Sequence, residues 1–365
     1  MKIVVAMDAF KGSLSSAEAN AAVISALAGH DVVTVPVSDG GEGFLEAWLA
    51  AHPDASLIEQ EVYHLDGRSR QAGYGFREAT RDAVVEVAAA SGLTLVNTLD
   101  PWRYSSYGTG MQLKQAIERG ARGITVGLGG SATVDGGKGL LEALGVRFLD
   151  EDGQVVGPFP PRLDRVASID WSGLMPEAHA VDWFIASDVT NPLCGVTGAA
   201  AVFGPQKGLA ASDVPRYDEM MSSYAHRFER DVSNRPGAGA AGGIGFALYQ
   251  LGATYRSGIE EVVRWTKLDE TLARADWLIT GEGKFDEQTL HGKAPYGLAQ
   301  LAHANGVPTL VFTGQSDMTE LRNAGIVAVF PIISRVMTLE EAMAQAAPLL
   351  SNAVRRVFHL LEKNA

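Results

Sequence analysis

The feature that most constrains the fold is an alternation of strand and helix patterns at both ends of the chain. Near the N-terminus the apolar run 2–8 precedes a helix pattern that opens with a capping box at Ser15, and a β-branched run follows at 31–37. The last third repeats this rhythm, with capping boxes at Ser257 and Thr338. Such an alternation predicts a parallel sheet with helices packed on its faces.

The middle of the chain, residues 56–258, has more strand patterns and fewer helices between them. It opens with two strand patterns around Asp66-Gly67, which predicts an antiparallel hairpin. The simplest organisation is a discontinuous α/β domain formed by residues 1–55 and 259–365, with a mixed α/β domain inserted over 56–258. Two connections would then cross one cleft, where α/β proteins usually bind ligands.

Composition and charge narrow the classes of partner. The 365 residues are 46% hydrophobic and 20% charged, as in ordinary soluble proteins, and the length favours two domains. Lys and Arg number 30 against 43 Asp and Glu, which gives a net charge of −13, and no basic run is present. This balance argues against a nucleic-acid partner and against binding to anionic membranes. Small-molecule substrates, including anionic ones, remain compatible with it.

Other absences exclude further classes. Cys194 is the only cysteine, the first ten residues are too short for a signal-peptide core, and no stretch approaches a membrane span. The sequence therefore predicts a cytoplasmic protein, and it leaves monomer and homodimer open. The eight histidines lack metal-ligand spacing, and no G-x-S-x-G motif is present, which argues against a zinc site and against an α/β-hydrolase.

Five glycine-rich polar segments each follow a predicted strand. They are "DAFKGS", "SDGGEG", "GLGGSATVDGG", "SDVTNP" and "TGEGKFDEQT". Any one of them alone is more typical of a tight turn. Five together would bring Asp, Glu, Lys, Ser and Thr side chains to strand ends, which favours a ligand site.

The segment "GLGGSATVDGG" is the best candidate for a phosphate cradle. It lacks the lysine of a P-loop and the G-x-G-x-x-G spacing, but it lies between a strand pattern and a helix pattern. Exposed N–H groups at a helix N-terminus bind anions, and the hydroxyls of Ser131 and Thr133 would add donors.

The charged residues of the other segments admit two interpretations each. Lys11 is either a solvated surface cation or a phosphate contact beside a helix N-terminus. Either Asp188 or Asn191 caps a turn here, or Asp188 serves as a proton acceptor or metal ligand at a strand end. The same choice between turn and ligand site applies to four further carboxylates: Asp39, Glu42, Glu282 and Asp286.

Six segments taken in order resemble the hallmark segments of one family. They are "DAFKGSLSS", "PVSDGGEGF", "GLGGSATVDGG", "ASDVTNPLCG", "VFGPQKG" and "TGEGKFDEQTLHGKAPYG". In this order they closely resemble the bacterial glycerate kinases that phosphorylate the 2-hydroxyl, from Met1 to about Pro331. Ordered matches of this extent are far more specific than any single glycine-rich loop.

The resemblance implies a fold and a reaction. The fold would be a flavodoxin-like parallel α/β/α domain formed by both chain ends, with an inserted mixed α/β domain. The reaction would use ATP and Mg²⁺ to convert D-glycerate into 2-phospho-D-glycerate and ADP. Such organic acid phosphorylation belongs to glyoxylate and sugar-acid catabolism.

We hypothesise a division of roles on this basis. Asp188 and Lys11 are the catalytic candidates, and Asp188 and Glu282 are the metal candidates, with the choice between base and ligand left open for Asp188. The nucleotide-binding candidates are Gly129, Gly130, Ser131, Ala132 and Thr133. The substrate-binding candidates are Asp39, Gly40, Gly41, Glu42, Lys284 and Asp286. Closure of the domains around the substrate is expected, because phosphoryl transfer must exclude water.

Two positions depart from the family pattern. Family members often carry Asn or another polar residue at the place of Val134, and often Ser at the place of Ala9. Val134 cannot donate a side-chain hydrogen bond, so we leave it out of the site. Ala9 removes a hydroxyl near Lys11.

Two alternatives stay open from the sequence. "GLGGSAT" is similar to the "GLGSSA" loop of the galactokinase and mevalonate kinase superfamily, although the upstream proline and the other segments of that superfamily are missing. A non-catalytic sugar-acid sensor could use the same cleft. Such a sensor would not require Lys11, Asp188 and the phosphate loop together.

Overall fold

The computed structural model describes residues 1–38, 40–286, 294–316 and 325–364. The described residues fall into two compact units by their internal contacts. Unit 1 takes those within 1–39, 46–51 and 259–365, and unit 2 takes those within 40–45 and 52–258. Both units are mixtures of strands and helices, which confirms the predicted α/β class.

The strands are numbered along the chain: β1 (Lys2–Met7), β2 (Asp31–Thr34), β3 (Ser56–Tyr63), β4 (Ser69–Arg77), β5 (Asp82–Glu86), β6 (Gly123–Gly127), β7 (Arg147–Leu149), β8 (Ser168–Asp170), β9 (Asp182–Ala186), β10 (Thr254–Arg256), β11 (Trp277–Phe285), β12 (Thr309–Ser316) and β13 (Ile326–Pro331). The helices are α1 (Ser16–Ile24), α2 (Phe44–Ala51), α3 (Val87–Ser91), α4 (Tyr107–Glu118), α5 (Lys138–Ala143), α6 (Val214–Ala225), α7 (Ile244–Gln250), α8 (Gly258–Thr266), α9 (Leu268–Leu272), α10 (Ala294–Ala304), α11 (Leu339–Ala344) and α12 (Ala346–Asn364). In the part of the chain that is described, no helix combines the length and apolarity needed to cross a bilayer.

Unit 1 is built on a five-stranded sheet in the order β2-β1-β11-β12-β13, and every strand pair in it is parallel. Counted along the chain, this is the 2-1-3-4-5 order of the flavodoxin-like fold. The structure therefore confirms the flavodoxin-like prediction for the two chain ends. The ligand site in such sheets lies at the carboxyl ends of the strands.

Strand β1 shows why this sheet needs helices on both faces. Ile3, Val5 and Met7 pack into one hydrophobic cluster with residues of α1 and α12. Val4 and Ala6 pack into a second cluster with residues of α9 and α10. Successive strand residues point to opposite faces, so an uninterrupted apolar run is what a doubly covered parallel strand requires.

A helix begins directly after each of the three predicted capping residues, at α1, α8 and α11, and two predicted helices are shorter than expected. Capping boxes form at Ser15 with Glu18 and at Thr338 with Glu341. The Thr338 box opens the six-residue α11, and the long α12 follows as a separate helix. The helix predicted after residue 257 is likewise split into α8 and α9, because Lys267 between them takes a left-handed conformation with φ 50°. The pattern "TELRNAG" predicts a further short helix in this part of the chain, and residues 319–324 of it lie outside the described residues.

Unit 2 is built on a six-stranded mixed sheet in the order β10-β9-β6-β5-β4-β3. The β3–β4 and β4–β5 pairs are antiparallel, and the other pairs are parallel. The predicted hairpin joins β3 to β4, with Gly67 at φ 89° in the turn. Strands β5, β6 and β9 end in register at Glu86, Gly127 and Ala186, so the segments that follow them start at one edge of the sheet.

Candidate active site

Two of the glycine-rich segments, "SDGGEG" and "GLGGSATVDGG", meet at the edge of the unit 2 sheet where β5, β6 and β9 end. The Gly129 N–H, after β6, donates to the Gly40 carbonyl at 2.9 Å. A Cβ atom on Gly129 would lie 2.2 Å from the Gly41 Cα, so only glycine allows this approach. Gly40 has φ 91°, and a Cβ there would lie 2.6 Å from the Ala186 carbonyl oxygen. The predicted nucleotide loop and the described part of the predicted substrate loop are therefore in direct backbone contact.

The remaining members of the substrate loop differ in their surroundings. Gly41 is buried, whereas Glu42 is exposed. Asp39 lies outside the described residues.

The predicted phosphate loop, residues 129–133, is more buried from solvent than its small and polar residues suggest. Ser131, Ala132 and Thr133 are buried, Gly129 is half-buried, and Gly130 is exposed. The Gly129 and Ala132 amides already donate within the protein, Ala132 to the Ser91 carbonyl at 2.8 Å. Among the N–H groups that were predicted to bind phosphate, these two are therefore occupied.

The helix N-terminus that was expected to add to this anion site is also occupied. Helix α5 begins at Lys138, and the Asp135 carboxylate accepts from the Gly137 N–H at 3.1 Å and the Gly139 N–H at 3.3 Å. Asp135 further accepts from the N–H and the hydroxyl of Ser106 at 2.7 and 2.8 Å. The expectation of a free helix terminus is therefore corrected, because a carboxylate of the same segment fills that position.

A buried lysine that was not among the predicted site residues, Lys207, donates hydrogen bonds to the loop 129–133. Lys207 is 3% exposed, and its Nζ donates to the Ser131 Oγ at 2.7 Å and to the Thr133 carbonyl at 2.9 Å. Burial lowers the pKa of Lys207 to about 7, and the more distant charge of Asp135 acts in the opposite direction. Its segment, "VFGPQKG", was recognised as a family segment. Lys207 and Ser131 are 76 positions apart, however, and the spacing of residues in a sequence does not indicate such a distant contact.

Asp188 lies just beyond the end of β9 and is half-buried. Its Oδ1 accepts from the Ser257 Oγ at 2.6 Å and from the N–H of Gly258, the first residue of α8, at 2.9 Å. Asp188 therefore contacts the start of a helix that lies 70 positions further along the chain. The Asn191 side chain, by contrast, donates locally to the Thr197 carbonyl at 2.8 Å.

Glu86, the last residue of β5, is a second group that the sequence did not single out. It is 8% exposed, and its Oε2 accepts from the Leu45 N–H at 3.2 Å. Burial, reinforced by the nearby charge of Glu42, raises the pKa of Glu86 to about 7. The sequence shows Glu86 only as one polar residue in an apolar strand pattern. It does not indicate that this side chain lies beside the glycine-rich segment before Leu45.

Unit 1 has a cavity of about 480 Å³ at the carboxyl ends of β1, β11 and β12. It brings together Lys11, Glu282 and Lys284, three of the predicted site residues. Lys11 is exposed, Glu282 is 6% exposed, and the Lys284 Nζ lies 3.2 Å from the Asp286 Oδ2. Its apolar wall is formed by Phe10, Ile332, Ile333, Leu339, Ala342, Met343 and Ala346.

The two metal candidates belong to different units, Asp188 to unit 2 and Glu282 to unit 1. Within the described ranges, no three His, Cys, Asp or Glu side chains are grouped so that they could hold a metal ion by themselves.

The chain matches the model of the glycerate kinase family over residues 3–362. It is 40% identical to the glycerate kinase of Bacillus subtilis (strain 168) and 40% identical to the glycerate 2-kinase of Escherichia coli (strain K12). Each alignment covers 98% of this chain and 97% of the relative. A crystal structure from Salmonella typhimurium LT2 that carries the name glycerate kinase 2 is similar with a TM-score of 0.82 at 40% identity, covering 100% of this chain and 99% of that one.

Proposed function

The chain belongs to the glycerate kinase family and is a phosphotransferase, and we propose that it transfers the γ-phosphoryl group of ATP to the 2-hydroxyl of D-glycerate. The products would be 2-phospho-D-glycerate and ADP. The observation that best supports this proposal is the direct contact of the Gly129 and Gly40 loops beside the strand end that carries Asp188. The proposed setting, catabolism of glyoxylate and sugar acids in the cytoplasm, follows from the family.

The loop 129–133 is proposed to hold the ATP phosphates. Since the Gly129 and Ala132 amides are already bonded, the contacts left for a phosphate centre on Gly130, which is exposed, and on the Ser131 hydroxyl. Gly130 has φ 72°, and successive N–H groups around such a left-handed residue form a concave anion site.

Asp188 is proposed to act on the attacking hydroxyl. In the base role, its carboxylate takes the proton of the 2-hydroxyl while that oxygen forms a bond to the γ-phosphorus, and ADP leaves with the electrons of the broken bond. The hydrogen bonds from Ser257 and Gly258 hold one carboxylate oxygen and so fix its orientation. The substrate loop, Asp39 to Glu42, would contact the other oxygens of glycerate.

The lysines of the unit 1 cavity are proposed to neutralise the phosphoryl group or to bind the glycerate carboxylate. Among the described residues, Lys11 has no carboxylate within ion-pair distance, whereas Lys284 is paired with Asp286. Lys11 is therefore the cation with more of its charge available to a ligand.

The residues present fit Mg²⁺ bound together with ATP. This ion takes one or two carboxylates and completes its shell with phosphate oxygens and water, so it does not require a three-carboxylate group in the protein. Asp188 or Glu282 would hold it, and it would neutralise charge on the phosphates.

The test is ADP release from MgATP with and without D-glycerate, with L-glycerate as the matched acceptor control. We expect ADP release that depends on D-glycerate. A folded protein that binds D-glycerate and releases no ADP would instead favour the sugar-acid sensor.

A further inference from the structure

Lys207 has surroundings that a purely structural role does not explain. Its side chain reaches the underside of the loop 129–133, and the oxygens it contacts, Ser131 Oγ and Thr133 O, are uncharged. Within the described residues, no carboxylate lies at ion-pair distance from its Nζ. Burying an ammonium group without a paired anion is costly, and a neutral side chain could fill the same space.

The other buried lysine of unit 2, Lys138, has the carboxylate partner that a buried ammonium group usually requires. Lys138 donates to the Glu142 Oε1 at 2.8 Å and to the carbonyls of Val156 and Gly157 at 2.9 and 3.0 Å. Its charge has a carboxylate partner inside the protein. Lys207 has no such partner among the residues that the structure describes, so an anion bound at the loop would supply the countercharge.

The hydrogen bond to Ser131 has a directional consequence. A protonated amine only donates, so the Ser131 oxygen must accept from Lys207, and the hydroxyl proton must point elsewhere. The described residues offer that proton no acceptor. A neutral Lys207 could instead accept the proton while still donating to Thr133.

We propose that Lys207 is a positioning residue for the ATP phosphates, which directs the Ser131 hydroxyl proton towards a phosphate oxygen and receives its countercharge from that phosphate. The proposal rests on the proposed function of the loop 129–133. Lys207 acts through Ser131 and Thr133 and does not itself contact the reacting atoms.

A dependence on pH follows from this arrangement. The charged group that acts on Lys207 is Asp135 of the segment 127–137. Tyr217 of α6 donates to the carbonyl of Val134, the residue after the Lys207 acceptor Thr133, and Asp100 follows Leu99, whose carbonyl lies against Gly208. Burial holds the pKa of Tyr217 far above neutrality and raises that of Asp135, while four hydrogen bonds oppose the shift at Asp135. A phosphate would raise the pKa of Lys207 above 7, so ATP binding takes up a proton, and ATP affinity falls as the pH rises above 7.

The test compares Lys207→Met and Lys207→Arg with the wild type and with the control Lys138→Met, which removes a buried lysine that does not contact the loop. KM for ATP and kcat are measured from pH 6 to pH 9, and thermal unfolding checks each fold. Calorimetric titration with MgATP in two buffers of different ionisation enthalpy gives the protons taken up. Ser131→Ala, which keeps the Lys207 bond to Thr133, replaces Lys207→Met if that variant does not fold.

We expect wild-type binding near pH 8 to take up about one proton, and KM for ATP to rise about 10-fold in Lys207→Met at pH 6.5 with a smaller change in kcat. In Lys207→Arg, the pH dependence of KM should disappear while the low KM remains. Folded Lys207→Met or Ser131→Ala with wild-type KM and pH profile would overturn the inference and leave the kinase assignment intact. A wild-type protein that releases no ADP would instead defeat the proposed function.

Discussion

Units 1 and 2 both bring charged groups to the carboxyl ends of parallel strands, but by different physical means. In unit 1 the groups are side chains around a cavity, and Lys11 is exposed to solvent. In unit 2 two backbones touch at Gly129 and Gly40, and the charged groups next to them, Lys207 and Glu86, are buried. Burial lowers the pKa of Lys207 and raises the pKa of Glu86, in both cases to about 7.

This difference predicts that removing the exposed Lys11 of unit 1 affects activity alone, while breaking the backbone contact at Gly129 of unit 2 affects activity and stability together. The substitutions below test that contrast, beginning with the one of largest expected effect.

Asp188→Asn should have the largest effect on turnover and little effect on stability. Asparagine keeps an oxygen that accepts from Ser257 and Gly258, but it can neither take a proton nor supply charge to a metal. We expect kcat to fall about 10²- to 10⁴-fold with nearly unchanged thermal unfolding. Near-normal turnover in this variant would remove Asp188 from the mechanism.

Gly129→Ala should separate the two loops of unit 2. The new Cβ would lie 2.2 Å from the Gly41 Cα, so the backbone must shift. We expect a loss of about 1–3 kcal/mol in the free energy of unfolding and a fall in kcat of about 10²-fold, measured by denaturant titration and ADP release.

Gly157→Ala is the matched control, because a Cβ there meets no atom within 4 Å. It should leave both measurements unchanged. Equal behaviour of the two alanine variants would show that the loop contact does not matter.

Lys11→Met should lower activity without lowering stability. Lys11 is exposed, so its removal costs no packing. Water also screens the attraction between an exposed lysine and a phosphate, so losing this attraction costs less than losing a buried one. We expect kcat/KM to fall about 10-fold, less than for a buried donor, with unchanged unfolding temperature. Lys114→Met, at another exposed lysine, serves as the control. A large loss of stability at Lys11 would break the contrast between the units.

Glu86→Gln should have the smallest effect, confined to the pH dependence of stability. Because the folded pKa of Glu86 is raised to about 7 from the usual 4.5, the folded state binds the extra proton between these values. Wild-type stability should therefore fall as the pH rises from 4.5 to 7, relative to the always neutral glutamine, by about 1–3 kcal/mol. Parallel stability curves for the two proteins would contradict the buried state of Glu86.

The sequence predicts the general architecture of unit 1 better than its details. The strand and helix alternation was sufficient for a parallel sheet in unit 1, and the capping box at Ser15 located a helix start. The order of the strands came from the family resemblance alone. The break at Lys267 was missed, because one left-handed residue in a helix pattern leaves no signal in periodicity.

For the candidate site, composition pointed to the loops but not to their partners. The glycines at 40 and 129 were recognised as loop residues, and only the structure shows that they are required by contact with each other. Asp135 was passed over as part of a loop, although it fills the helix terminus assigned to phosphate. Lys207 is distant in sequence from the loop that it supports, so its role depends on packing that spacing does not encode.

The central claim is transfer to the 2-hydroxyl, and coupling the reaction to enolase without phosphoglycerate mutase tests it most directly. Enolase acts on 2-phosphoglycerate and not on the 3-phosphate. We predict that phosphoenolpyruvate forms at the rate of D-glycerate-dependent ADP release. ADP release without phosphoenolpyruvate would contradict the account, because the phosphoryl group would then go to the 3-hydroxyl or to water.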